Sequence, residues 1–284
     1  MVNNKKKYSI GLDIGGTKML GVLWDGDKVV AEYQLATPRE SLDKFLVMVN
    51  ALVEPLAKEV KGEIAGIGLG VAGVIDYDDN RILESPNLAI LNGVKLADKI
   101  EEMVSLPVKM DNDGNTFLRA EMVLGARRNN VNLCGIVLGT GIGGAWWYNG
   151  DIYRAVHGGS GEPGEMIIDF AEGTKLEPAY HQLMQFNPGS VAEEAYRGDV
   201  LADKLYEELG DYLGMALANI ANLFAPELII IGGSVSESGD LFLDIAKRVM
   251  KENVASQELK KRLKIQKSKV GPQAGAIGAA LLIS

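Results

Sequence analysis

Cysteine is almost absent: Cys134 is the only one in 284 residues. No intramolecular disulfide and no thiolate-built zinc site can form, and a reducing, cytoplasmic setting is expected. Histidine is nearly as scarce, with only His157 and His181. Divalent sites usually need three or four converging ligands, so ordinary polar roles are expected for both. Basic charge is in deficit, with 29 Lys and Arg against 38 Asp and Glu, a net charge of −9 and a pI near 4.9. That balance argues against the basic stripe that nucleic acid binding needs, while leaving local phosphate binding open. Long apolar runs are also missing. The basic residues 5–7 precede an apolar stretch that Asp13 interrupts, too short for a signal peptide. Residues 133–148, the least polar run, carry five glycines and Thr140, so they cannot span a membrane either.

Glycine, by contrast, is abundant: 34 residues, about 12% against a usual ~7%. Hydrophobic residues make up 47% and mean hydropathy is +0.05, the profile of a globular chain long enough for two domains or one large α/β unit. Residues 8–14, 18–24 and 28–35 read as three short strands, separated by Gly15-Gly16 and by Asp25-Gly26-Asp27. Apolar residues at helical spacing predict a helix over 41–60, with Pro55 kinking or shortening its end. A strand at 64–71, a helix near 95–103 and a strand at 108–111 complete a β-β-β-α-β-α-β series. The order begins again with strands at 133–138, 143–148 and 151–154, a helical stretch over 200–224, a strand at 227–231 and a last helix at 274–282. Two related halves packed directly together, with a ligand cleft between them, are the expectation. Leu201, Leu205, Leu209, Leu213 and residues 216–223 form an apolar stripe expected in the core. Trp146 and Trp147, adjacent on a strand, point to opposite faces, and at least one is expected to serve packing.

Three glycine turns sit at strand ends: Asp13-Ile14-Gly15-Gly16-Thr17-Lys18, then Gly139-Thr140-Gly141-Ile142-Gly143-Gly144, then Gly232-Gly233. Bare backbone N–H groups and a hydroxyl in such turns can hold phosphate oxygens, although the spacing is not that of a Walker loop. In matching positions they point to a nucleotide triphosphate. Asp113, in Asp111-Asn112-Asp113-Gly114-Asn115, lies where a strand ends and a helix begins. It suits a helix N-cap and, equally, a carboxylate that takes the proton from an attacking hydroxyl. Glu162, Glu165 and Glu177 follow the second glycine turn. Each can accept two hydrogen bonds from a polyol, or be a solvated acid on an acidic protein.

These residues resemble the ROK family (repressor, open reading frame, kinase) of sugar kinases and sugar-responsive repressors, within the actin-like ATPase superfamily. The first two glycine motifs look like the family's phosphate motifs, and residues 223–233 like its adenosine segment. More specific are Pro86-Asn87-Leu88 with Asn92-Gly93, the Asn112-Asp113 pair, Glu162-x-Gly164 and the run 274–280. The resemblance implies an α/β, two-domain actin-like ATPase (ribonuclease H-like) fold, each domain a mixed sheet with flanking helices and a cleft between. The expected domains are 1–115, small, and 116–271, large, with a C-terminal helix at about 272–284 a candidate to pack back onto the first. Asp113 is implied as catalytic base. Gly73, Asn87, Asn112, Glu162, Glu165 and Glu177 are implied on the sugar side. Asp13, Gly15, Gly16, Thr17, Lys18, Gly139, Thr140, Gly141, Gly143, Gly232 and Gly233 are implied around ATP, with Asp13 toward Mg²⁺ or its waters.

Two departures stand out. The family pattern has E-x-G-H followed by a cysteine-rich zinc loop, whereas Glu165 occupies the His position and no cysteine lies between it and Glu177. The structural zinc is therefore expected to be absent, and the acceptor-only Glu165 alters which sugar hydroxyls are favoured. Residues 89–91 are Ala-Ile-Leu rather than Pro-Gly-Trp, which removes an aromatic wall. The expected activity is transfer of the γ-phosphoryl group of Mg-ATP to a hexose hydroxyl, O6 of glucose foremost. An N-acetylmannosamine, N-acetylglucosamine or fructose kinase is the alternative. The donor stays open between ATP and polyphosphate, and so does a homodimer through the large domain. A sugar-binding regulator without turnover is the reading from another class. It is disfavoured because such repressors add an N-terminal helix-turn-helix, whereas seven residues precede the first strand here.

Overall fold

In the computed structural model, which describes residues 7–126, 132–156, 158–185 and 187–283, the chain opens with the expected meander. Strands β1 (Lys7–Ile14), β2 (Lys18–Trp24) and β3 (Val29–Ala36) pair antiparallel. Helix α1 (Leu42–Lys58) starts where the Ser41 hydroxyl accepts the Lys44 N–H, and buries Phe45, Val49, Leu52, Val53 and Leu56. It continues through Pro55 to Lys58, with the fully buried Leu56 holding the last turn. Strand β4 (Glu63–Val71) joins β1 in parallel, a hairpin follows as β5 (Val74–Asp76) and β6 (Arg81–Glu84), and α2 (Leu96–Val104) leads to β7 (Val108–Asn112). The sheet order is β3-β2-β1-β4-β7. Helix α3 (Asp113–Ala120) leaves the end of β7 and runs into a π-helical turn, Glu121–Ala126.

A second mixed sheet is built from β8 (Leu133–Leu138), β9 (Ile142–Tyr148) and the short β10 (Asp151–Ile152). A small hairpin, β11 (Ile167–Asp169) and β12 (Thr174–Lys175), precedes α4 (Leu176–Met184) and α5 (Pro188–Tyr196). Then come α6 (Val200–Phe224), β13 (Leu228–Gly232), α7 (Leu243–Asn253), α8 (Gln257–Arg262) and β14 (Lys264–Lys267). The order β10-β9-β8-β13-β14 repeats the first sheet's pattern of an antiparallel meander followed by two parallel strands. Leu209, Leu213, Ala216 and Leu217 of α6 sit in the core of this sheet, but Leu201 and Leu223 are 69% and 74% exposed. A step of four residues advances about 40° around an α-helix, so the stripe leaves the buried face at its ends. Trp146 packs into this core, its ring 4.3 Å from that of Phe224.

Two compact units result: Met1–Arg127 with Arg154–Ser160 and Lys269–Ser284, and Arg128–Tyr153 with Gly161–Ser268. Helix α9 (Ala274–Ala280) belongs to the first, and all seven of its residues are buried. Its small side chains let backbone meet backbone. A Cβ on Gly68 of β4 would lie 1.7 Å from the Ala279 carbonyl oxygen, and one on Gly278 the same distance from that of Thr116 in α3. The buried Glu121 carboxylate accepts the N–H groups of Lys269 and Val270, both at 3.0 Å, and so fixes the segment that leads into α9. Among the described residues no helix is long and apolar enough to cross a membrane.

Candidate active site

In the first unit, β1 delivers Asp13 and turns sharply into β2, closed by the Gly15 N–H donating to the Lys18 carbonyl at 3.0 Å. Thr37 braces the turn: its hydroxyl donates to the Gly15 carbonyl at 2.7 Å and its N–H to that of Thr17 at 3.0 Å. Thr17 and Lys18 are exposed. Gly16 is required where it stands, because a Cβ there would come within 2.8 Å of the Asn87 Cβ. The turn and Asn87 are thus neighbours, and the Arg39 guanidinium holds Asn87 by its carbonyl at 3.0 Å.

At the end of β7, Asn112 rather than Asp113 is the N-cap of α3. Its side-chain oxygen accepts the Gly114 N–H at 2.8 Å, and its amide donates to the Gly73 carbonyl at 3.0 Å. Gly73 has φ +138°, a conformation that favours glycine, and a Cβ there would strike the Glu84 carbonyl. With the capping role taken by its neighbour, Asp113 occupies the first helical position, its carboxylate accepting the Gly114 N–H at 2.9 Å. Burial raises the Asp113 pKa, opposed by that hydrogen bond. The Asp13 carboxyl is pushed up to about 7, first by burial and then by the charge of Asp113, with Lys18 pulling the other way.

Two neighbouring acids, one of which raises the pKa of the other, are a donor set that would suit a divalent cation, whose charge would relieve their repulsion. Asp13 is the residue that would hold it. Among the described residues no cluster of three His, Cys, Asp or Glu side chains could hold a metal by itself. His157 lies outside the described residues.

A network beneath this site was not anticipated from sequence. Asp111, fully buried, accepts the Tyr77 hydroxyl at 2.8 Å, the Asn115 amide at 2.8 Å and the Arg154 guanidinium at 2.5 Å. The guanidinium also lies over the Tyr77 ring, 5.1 Å from its centroid. These contacts fix the strand end from which Asn112 and Asp113 project. An acid directly before Asn112-Asp113 was the available signal, but two of these three partners lie 34 and 43 residues away.

In the second unit, Gly139 donates to the Gly141 carbonyl at 2.9 Å, making the tight turn between β8 and β9. Thr140 is exposed, and nothing lies within 4 Å of a Cβ built on Gly139 or Gly143. Gly233, at φ +83°, directly follows β13 beside this turn: a Cβ there would lie 2.2 Å from the Leu138 carbonyl oxygen. The second and third glycine motifs therefore meet at adjacent strand ends.

Glu162 precedes a single 3-10 turn, Pro163–Glu165. Glu165 pairs with Lys175 at 2.6 Å across the β11–β12 hairpin, and Lys175 directly precedes α4. Glu177, in the first turn of α4, faces the second glycine motif, where its carboxylate accepts the Ile142 N–H.

The ROK family model matches residues 9–284. The chain is 28% identical to a glucokinase of Halalkalibacterium halodurans, covering 98% of this chain and 95% of that one. It is 29% identical to the xylose repressor of Bacillus subtilis, covering 99% of this chain and 78% of the repressor. Among solved structures, a ROK family glucokinase from Streptomyces griseus in complex with glucose and AMPPNP superimposes with a TM-score of 0.83 at 26% identity, covering 97% and 98% of the two chains. The fold is that of the actin-like ATPases, as the motifs implied.

Proposed function

The chain belongs to the ROK family, and from that premise we propose that it is an ATP-dependent sugar kinase, transferring the γ-phosphoryl group to a hexose hydroxyl, O6 of glucose foremost. The observation that carries this reading is Asp113. It is released from capping by Asn112, partly buried, and carried on a strand end that the Asp111 network holds still. A carboxylate so placed suits accepting the proton of the sugar hydroxyl as that oxygen attacks phosphorus. Asn112 and Asn87 offer amide groups to further hydroxyls, and Glu162, Glu165 and Glu177 are the carboxylates assigned to the sugar in the second unit. The Gly15–Lys18 and Gly139–Gly143 turns present backbone N–H groups and hydroxyls suited to phosphate oxygens. Mg²⁺, when bound, neutralises phosphate charge, and Asp13 is its protein ligand in this reading.

A coupled assay of ADP release with Mg-ATP, across glucose, fructose, N-acetylmannosamine and N-acetylglucosamine, tests the reading. Turnover with glucose, reduced about 10²–10⁴-fold in a folded Asp113→Asn variant, is expected. Near-normal turnover in that variant would remove Asp113 as the base. The likeness to the xylose repressor favours a second reading, sugar binding without turnover. Saturable sugar binding with no ADP release from any sugar would establish it.

A further inference from the structure

Helix α4 presents Glu177, Tyr180 and His181 along one face, at spacings of three and four residues. All three reach the same short loop. The Tyr180 hydroxyl donates to the Gly139 carbonyl at 2.5 Å, His181 Nε2 lies 2.7 Å from the Thr140 carbonyl, and the Glu177 carboxylate accepts the Ile142 N–H. A carbonyl can only accept, so His181 carries its proton on Nε2 in this contact. The fit is close: a Cβ on Gly141 would lie 2.6 Å from the Glu177 carboxylate. The helix itself is anchored, with Leu176, Ala179, Tyr180, Leu183 and Met184 buried in the core of the second unit.

We infer that α4 is a clamp which holds the Gly139–Ile142 loop in its phosphate-receiving shape, with Tyr180 and His181 as positioning residues for the nucleotide. This rests on the kinase reading, in which that loop receives phosphate. A glycine loop is free to adopt many backbone shapes, and its N–H groups converge on an anion only while something fixes it. Here side chains bond successive carbonyls, 139 and 140, from one side, and the carboxylate restrains the N–H of 142. The carbonyls of 139 and 140 are taken up by the clamp, the Gly139 N–H by the turn and the Ile142 N–H by Glu177, so the N–H groups of Thr140 and Gly141 are the ones the loop offers to a ligand in this inference.

The test uses the full chain with Tyr180→Phe, His181→Ala, the double variant and His181→Gln, which retains an amide donor. Two readouts are taken: hydrogen exchange of residues 139–143 without ligand, and the Kd for Mg-AMPPNP beside that for glucose. The expected result is exchange accelerated about tenfold in the double variant, nucleotide Kd raised about tenfold, glucose Kd changed less than twofold, and substantial recovery in His181→Gln. Unchanged exchange would overturn the clamp. Faster exchange with unchanged nucleotide affinity would overturn the positioning role while leaving the kinase reading intact. Faster exchange in a protein whose wild type binds no nucleotide would overturn the phosphate reading, and the positioning role with it.

Discussion

One added methyl group should have opposite effects at two glycines. In Gly68→Ala the new Cβ would lie 1.7 Å from the Ala279 carbonyl oxygen and 2.4 Å from its carbon, both backbone atoms of α9. An ordinary carbon–oxygen contact is about 3.3 Å, so helix and strand must separate by roughly 1.5 Å, beyond the usual range of overpacking costs of about 1–3 kcal/mol. Gly68 pairs with Gly11 on one side and Lys109 on the other, so β4 cannot shift without disturbing two ladders. A loss of about 3–5 kcal/mol is expected, because separation also forfeits the dispersion contacts of the buried helix. Gly189, exposed in the first turn of α5 with nothing within 4 Å of an added Cβ, should instead gain about 0.5–1 kcal/mol as alanine, through reduced freedom of the unfolded chain. At about 2–4 °C per kcal/mol, scanning calorimetry should find Tm lowered by roughly 6–20 °C in the first variant and raised by about 1–4 °C in the second. Equal shifts in the two variants, or an unchanged Tm in Gly68→Ala, would refute the packing argument.

Asp113 carries a pH signature. Its folded pKa is raised, so its ionised form costs stability that is absent below the ordinary carboxylate range and appears as pH rises through the raised value. Asp113→Asn should therefore gain stability relative to wild type between pH 4 and 8 in parallel denaturant titrations, while losing turnover. Arg154→Met strips the fully buried Asp111 of its closest cation and is expected to cost about 3 kcal/mol, read from urea midpoints, with kcat falling further than sugar affinity. Burial raises the pKa of the Cys134 thiol, so labelling by a disulfide reagent at pH 8 should be negligible in the native protein and rise with the unfolded fraction in urea.

Strong local signals make much of this fold legible in the sequence. The glycine turn between β1 and β2, the Asp25-Gly26 turn before β3 and the long apolar repeat of α6 each carry their structure within a few residues. The elements that escaped notice are those whose signal is weak or tertiary. Strand β14, Lys-Ile-Gln-Lys, reads as polar because it lies at the edge of its sheet, where lysines deter further pairing. The β5–β6 hairpin is short, and acids surround its turn. Helix α7 buries only Leu243, Ala246, Val249 and Met250 amid lysine, arginine and glutamate. In the site, glycine motifs and the Asn112-Asp113 pair stand out by composition, but the division of labour between those two was not visible. Choosing the cap depends on φ and ψ at the strand end, and the Tyr77–Asp111–Arg154 contacts exist only after distant segments have met.

The burial of α9 also bears on the order in which the protein can be completed. Residues 274–280 are made long after the strands they cover, and until then Gly11 of β1 and Gly68 of β4 lack the backbone that packs against them. Synthesis in chain order supplies the last helix of the first unit only after almost all of the second unit has been made. The helix that completes it, six of its seven residues alanine or glycine, fills a slot shaped by the absence of side chains.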